Sequence, residues 1–148
     1  MKSKEKGVGK MKKSEFYTLK GYQLQKKEKI TEAMEDYLEM ITRFTLQKKE
    51  IRIKDLALKL NVKPPSVSKM MNRLKELNFI SFEKYKTIHL TEEGLILGKY
   101  LLERHNVLVS FFKKLNKEDY NLKQVEMIEH FIDYPTIQNM KKDLNKKV

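Results

Sequence analysis

Apolar side chains recur at Ala33, Met34, Tyr37, Leu38, Ile41 and Phe44, the three-and-four spacing of an amphipathic helix, with Thr31 placed to cap its start. A shorter amphipathic run covers residues 53–60, and Asn61, Val62 and Lys63 then read as a tight turn. Pro64 and Pro65 suit the first turn of the next helix, where a missing N–H does no harm. Val67, Met70, Met71 and Leu74 would face inward from that helix, which is predicted to run to about residue 77. Residues 79–90 alternate between apolar and polar positions like a β-hairpin. Thr91, Glu92 and Glu93 can cap a long helix whose apolar positions extend from Leu95 to Leu115. Further helices are predicted over residues 122–132 and 135–144. Ahead of them all, Phe16, Tyr17, Leu19, Tyr22 and Leu24 give residues 14–25 enough apolar surface to dock loosely on the body.

Two short helices joined by a turn of this length form a helix-turn-helix, and a following hairpin makes it a winged helix. The fold class is therefore mainly α with a small β-wing: a winged helix-turn-helix followed by an α-helical domain. Boundaries fall at residues 1–29 for a basic extension, 30–92 for the winged helix and 93–148 for the helical part. The outward positions of the second short helix, Ser66, Ser68, Lys69, Asn72 and Arg73, carry groups able to reach phosphates or base edges. Lys63 and Pro65 at the turn adjoin them, and Lys84 and Lys86 sit at the expected wing tip. His89, on the returning strand, reads as structural or exposed.

Charge sharpens this picture. The chain of 148 residues carries +12, and ten lysines against three glutamates put +7 of that into residues 1–30. Such a surplus favours a polyanion through counterion release, and the helix-turn-helix selects double-stranded DNA over a membrane surface. The first 13 residues, basic and with Gly7 and Gly9, predict a mobile arm that contacts phosphates. No apolar run approaches the roughly 20 residues that span a bilayer. With no cysteine and no secretory signal, a soluble cytoplasmic protein is expected, and thiolate ligands are excluded.

Three clusters remain unexplained by DNA binding. Glu126, Glu129 and His130 occupy i, i+3 and i+4 beside the stripe of Leu122, Val125, Ile128 and Ile132. Carboxylates at the margin of an apolar face are costly to desolvate unless a cation neutralises them, which a divalent metal does well. Asp36 and Glu39 fall outside the stripe of their helix, where solvated carboxylates are the plain expectation. His105, in the middle of the long helix, taken alone reads as a hydrogen-bonded core residue. No nucleophile or phosphate loop accompanies these acids, so a metallohydrolase, or any enzyme with a small organic substrate, is disfavoured.

Together, Met34-Glu35-Asp36-Tyr37-Leu38-Glu39, Val62-Lys63-Pro64-Pro65-Ser66-Val67, Glu83-Lys84-Tyr85, Leu90-Thr91-Glu92-Glu93-Gly94, Arg104-His105 and Glu126-x-x-Glu129-His130 resemble the diphtheria toxin repressor family, in its manganese transport regulator branch. The resemblance covers about residues 30–140. It implies a metal-dependent repressor of metal-homeostasis genes, a homodimer on a palindromic operator, with metal bound between the winged helix and the dimerisation helices. It implies six ligands: Asp36, Glu39, His105, Glu126 and Glu129 around a first ion, and His130 with bridging carboxylates at a second. Oxygen-rich sites with imidazole and no sulfur suit Mn²⁺, with Fe²⁺ the alternative and one or two ions per subunit. A ferrous-iron-responsive repressor of the same family and a metal-independent winged-helix regulator are the competing readings. Relative to the family, the chain leaves no room for an SH3-like third domain and stops short of a last helix, which puts the size of the dimer interface in question.

Overall fold

Thr31 accepts the Met34 amide and Thr91 the Gly94 amide, and behind each cap runs the helix that the sequence predicts: α2 (Glu32–Leu46) and α5 (Glu92–Asn116). The computed structural model describes residues 13–27, 30–83, 86–117 and 119–146. Helix α1 (Lys13–Lys27) precedes α2. The pair α3 (Ile53–Leu60) and α4 (Pro64–Glu76) follows it, then the two-residue strands β1 (Ile80–Ser81) and β2 (His89–Leu90), and α5. The short α6 (Leu122–Ile128), a 3₁₀ turn (Glu129–Phe131) and α7 (Tyr134–Leu144) complete the described chain.

The helix-turn-helix turn is made by Asn61, at φ 53° and ψ 49°, a left-handed conformation that Asn tolerates better than most residues. Lys63 occupies the N-cap of α4, with the prolines in the first turn. Val67, Met71 and Leu74 are buried from α4, and Met70 packs partly against the same core. The wing is antiparallel, pairing Ile80 with Leu90 and Ser81 with His89, a much shorter ladder than the alternation over residues 79–90 suggests. Lys75 Nζ ties α4 to it by donating to the Phe82 carbonyl at 3.1 Å.

Two apolar clusters lie along α5. The larger joins Leu38, Ile41, Leu56, Val67, Met71, Leu74 and Phe79 to Leu97, Tyr100 and Leu101; the smaller joins Val107 and Leu108 to Val125 and Ile137. Helices α2 and α5 approach so closely that a Cβ on Gly98 would stand 1.8 Å from Thr42 Oγ1, so only glycine fits there.

Two expectations need correction. Residues 13–27 are not loosely docked: they form α1, which packs along α5. Gly21 permits this, since a Cβ there would lie 2.5 Å from Tyr100 Cβ, and Tyr22 stacks on Tyr134 with centroids 4.8 Å apart. The apolar residues in this stretch were visible in the sequence, but they carry no clear three-and-four rhythm. Residues 1–12 of the predicted arm lie outside the described residues. The helix predicted over 122–132 ends at Ile128 and tightens into the 3₁₀ turn, because Ile132 turns extended (φ −90°, ψ 124°) and Asp133 caps a new helix by accepting the Thr136 amide. No helix among the described residues is long and apolar enough to cross a membrane.

Candidate metal centre

Three elements meet beside the middle of α5. Helix α2 contributes Glu35, Asp36 and Glu39, α5 contributes Arg104 and His105, and the 3₁₀ turn contributes Glu129 and His130. His105 Nδ1 lies 2.8 Å from Glu129 Oε2 and 3.5 Å from Glu39 Oε1. His130 Nε2 lies 3.3 Å from Asp36 Oδ1, and its Nδ1 is 3.3 Å from Glu35 Oε1. Two groups of ligand atoms result, each within 4.8 Å: Glu39, His105 and Glu129, and Asp36, Glu129 and His130. Glu129 belongs to both.

Five of the six ligands implied by the resemblance thus fall into these groups. The sixth, Glu126, is exposed and stands outside both, but it lines a cavity of about 410 Å³ with Asp36, Glu39, His105 and Glu129. Asp36 groups with His130, whereas the resemblance put it with Glu39 and His105. Glu129 closes α6 with its amide donating to the Val125 carbonyl, and His130 follows in the 3₁₀ turn, where its ring faces Glu35 and Asp36 of α2. Glu39 is not the solvated carboxylate its helix suggested: at 7% exposure it is covered from α5 and the 3₁₀ turn, while Asp36 stays exposed.

Burial holds the Glu39 carboxyl above its ordinary value, and the facing Glu129 carboxylate pushes it the same way, against the Arg43 guanidinium 2.8 Å away. The hydrogen bond to Glu129 raises His105. Asp36 first, then Glu35, pushes His130 up to about 10. The surrounding carboxylates thus shift both imidazoles toward their protonated forms. The same surroundings fit a divalent cation: buried carboxylates face one another, imidazole nitrogens stand beside them, and the chain supplies no sulfur from cysteine.

Sequence reasoning passed over Glu35 and Arg104 as functional residues. Both are buried, and Arg104 Nη2 sits 2.8 Å from Glu35 Oε2. The available signal was position: Glu35 precedes Glu39 by four residues, on the same helix face, and Arg104 adjoins His105.

Among the residues expected to face DNA, Lys63, Pro65, Ser66, Lys69, Asn72 and Arg73 are exposed, and Ser68 is half-buried. Lys86 is exposed and pairs with Glu83 at 2.6 Å; Lys84 lies outside the described residues. Arg52, not anticipated, lines a cleft beside the wing with Lys86 and the exposed His89.

Residues 29–88 match the family described as "Iron dependent repressor, N-terminal DNA binding domain". The HTH-type transcriptional regulator MntR of Shouchella clausii (strain KSM-K16) is 38% identical over 111 residues, covering 74% of this chain and 78% of that protein. The MntR of Listeria welshimeri is 37% identical over the same length and the same shares of each. Among solved structures, the manganese regulator SloR superposes with a TM-score of 0.64 at 28% identity, covering 76% of this chain and 53% of that one. The metal-dependent transcriptional regulator MtsR does so with a TM-score of 0.66, at 28% identity and the same coverages. This chain therefore spans about half the length of those solved chains.

Proposed function

The chain belongs to the iron-dependent repressor family, with the MntR regulators among its relatives, and from that premise we propose that it is a manganese-responsive transcriptional repressor. The observation that carries the reading is the paired ligand group sharing Glu129, built from α2 of the winged helix and from the helical part behind it. Asp36, Glu39, His105, Glu126, Glu129 and His130 would hold one or two Mn²⁺ ions, with Fe²⁺ the competing metal. Bound there, the cation supplies the positive charge that the acid cluster lacks and ties α2 to α5 and the 3₁₀ turn.

The division of labour follows residues 30–92 for DNA binding and 93–148 for metal binding and dimerisation. Residues 1–29 lead into the first unit. Lys63, Pro65, Ser66, Ser68, Lys69, Asn72 and Arg73 from the turn and α4, with Lys84 and Lys86 from the wing, would contact the duplex. A homodimer presents two recognition helices to half-sites about one helical turn apart, or a multiple of that, hence a palindromic operator in the cytoplasm. Because α2 packs on the helix-turn-helix core, restraint of α2 by Glu39 and Asp36 fixes where α4 stands. Metal and DNA affinities are then linked, each raising the other by the same factor.

The test is operator binding by chelator-stripped protein titrated with Mn²⁺, anaerobic Fe²⁺ and Zn²⁺, using DNA upstream of a manganese-transporter gene. Binding that appears with Mn²⁺ and disappears on chelation supports the proposal. Equal binding with and without metal returns the protein to a metal-independent winged-helix regulator.

A further inference from the structure

Glu35 is buried beneath the ligand groups without belonging to either, and both of its oxygens are engaged. Oε1 faces His130 Nδ1 at 3.3 Å. Oε2 accepts from Gln25 Nε2 at 2.7 Å and lies 2.8 Å from Arg104 Nη2. The Arg104 contact is a charge pair only, because neither Nε nor Nη2 of that guanidinium is aligned for a hydrogen bond. The aligned hydrogen bond that orients Glu35 from below therefore comes from Gln25, a residue of α1.

A histidine that binds metal through one ring nitrogen is ordinarily held by a hydrogen bond from the other, and a carboxylate in that role fixes the tautomer and the ring plane. The two ring nitrogens of His130 each face a carboxylate at 3.3 Å, Nδ1 the buried Glu35 and Nε2 the exposed Asp36 of the ligand group, so a proton held on Nδ1 by Glu35 leaves Nε2 on the ligand side. Arg104, at 1% exposure, sets its guanidinium against the other oxygen of Glu35, so the buried acid has a cationic partner on the side away from His130.

The anchor is firm on the side of α1. Tyr22 stacks on Tyr134 of α7, Gly21 rides against Tyr100 of α5, and Thr18 bonds to Glu103, which also pairs with Lys141 of α7. Gln25 is thus presented from a helix gripped by both α5 and α7.

We propose that Glu35 and Gln25 are positioning residues of the metal centre, through which helix α1 holds His130 with Nδ1–H donated to Glu35 and Nε2 left for the ion. This rests on the metal-binding reading above. It adds a feature that the ligand residues alone do not contain: a site whose affinity depends on a helix outside the winged-helix match at residues 29–88.

The experiment uses the full chain. Mn²⁺ binding to wild type, Gln25→Met and Glu35→Gln is read from the electron paramagnetic resonance signal of free Mn²⁺. Histidine ¹⁵N resonances are read in the Zn²⁺-loaded proteins. Gln25→Met keeps length and burial but removes the donor, and Lys27→Met on the exposed side of the same helix is the control. Loss of a second-layer partner typically weakens metal binding about 10- to 100-fold, so Glu35→Gln should fall in that range and Gln25→Met, one bond further out, at about 3- to 10-fold. Lys27→Met should match wild type. The wild-type spectrum should show His130 metallated at Nε2 and protonated at Nδ1. Thermal melts of the metal-free proteins separate these effects from misfolding, and Gln25→Met carries the test where Glu35→Gln strands Arg104 and fails to fold. Metallation of His130 at Nδ1, or wild-type affinity in a folded Gln25→Met, overturns the inference and leaves the metal reading standing. Wild type that binds no Mn²⁺ overturns both.

Discussion

Glu129 is the residue common to both ligand groups, so its replacement should do what no other single ligand substitution does. At 2% exposure, with its Oε2 2.8 Å from His105 Nδ1, it has one well-defined place, and Glu129→Gln keeps the shape while removing the charge. An ion present at 100 times its dissociation constant stabilises the fold by about 2.7 kcal/mol. A loss of about 100-fold in affinity, the upper end for an outer-layer group and a modest expectation for a direct ligand, leaves about 0.4 kcal/mol of that. For a chain of this length 1 kcal/mol corresponds to roughly 2–4 °C, so each bound ion raises the melting temperature by about 5–10 °C in wild type and by about 1–2 °C in the variant. The assay is a thermal melt with and without Mn²⁺ at fixed concentration, alongside Glu39→Gln and Asp36→Asn. Each of these two variants should retain the shift due to the group it does not belong to, whereas Glu129→Gln should lose both. A full Mn²⁺ shift in Glu129→Gln, or an equal loss in all three variants, refutes the shared-ligand geometry.

Gly21→Val should destabilise the protein by about 1–3 kcal/mol in urea titrations, the usual penalty for forcing carbon into a packed contact, because its Cβ collides with Tyr100. Asp133→Ala removes the cap that ends the 3₁₀ turn and starts α7, and should cost about 1 kcal/mol in the same assay. The pH dependence has a definite sign. His130 has a folded-state value raised to about 10, so its pairing stabilises the metal-free protein fully below pH 6.5 and fades as pH climbs through about 10. Since metal must displace that proton, Mn²⁺ affinity should rise with pH between 6 and 8, with protons released on binding, as measured by calorimetry in buffers of different ionisation enthalpy. Lys69→Ala, an exposed residue of α4, should lower the salt slope of DNA binding by about 1 while leaving Mn²⁺ affinity unchanged.

The helix-turn-helix was legible because its signals are local. Thr31, Pro64, Pro65 and Thr91 each act on backbone groups within a few residues, and the apolar rhythm of α2 and α4 is the rhythm of one face. The candidate ligands came from family resemblance and composition, and what the structure adds is proximity: five of the six lie within the two groups and Glu126 lines the same cavity. What escaped depends on contacts far apart in sequence. Helix α1 is specified by the fit of Gly21 and Tyr22 onto Tyr100 and Tyr134, partners about 80 and 110 positions away. Glu35 escaped because its burial comes from Arg104 and from α1, neither visible from the periodicity of α2. The break at Glu129 escaped because the apolar stripe continues unbroken to Ile132, while the capping of the next helix by Asp133 overrides it.

Helix α5 runs without interruption from Glu92 to Asn116, and Arg104 and His105 sit near its midpoint. At 1.5 Å per residue it is a beam roughly 37 Å long with its fulcrum at the acid cluster. A tilt of about 5° at the centre displaces each tip by roughly 1.6 Å, with no bending and no melting of the helix in between. One tip abuts the wing, where a Cβ on Gly94 would strike the Phe79 carbonyl at 1.8 Å, and the other leads to the turn before α6. A change of a fraction of an ångström among side chains at the middle would thereby be delivered, enlarged, to both ends of this helix at once.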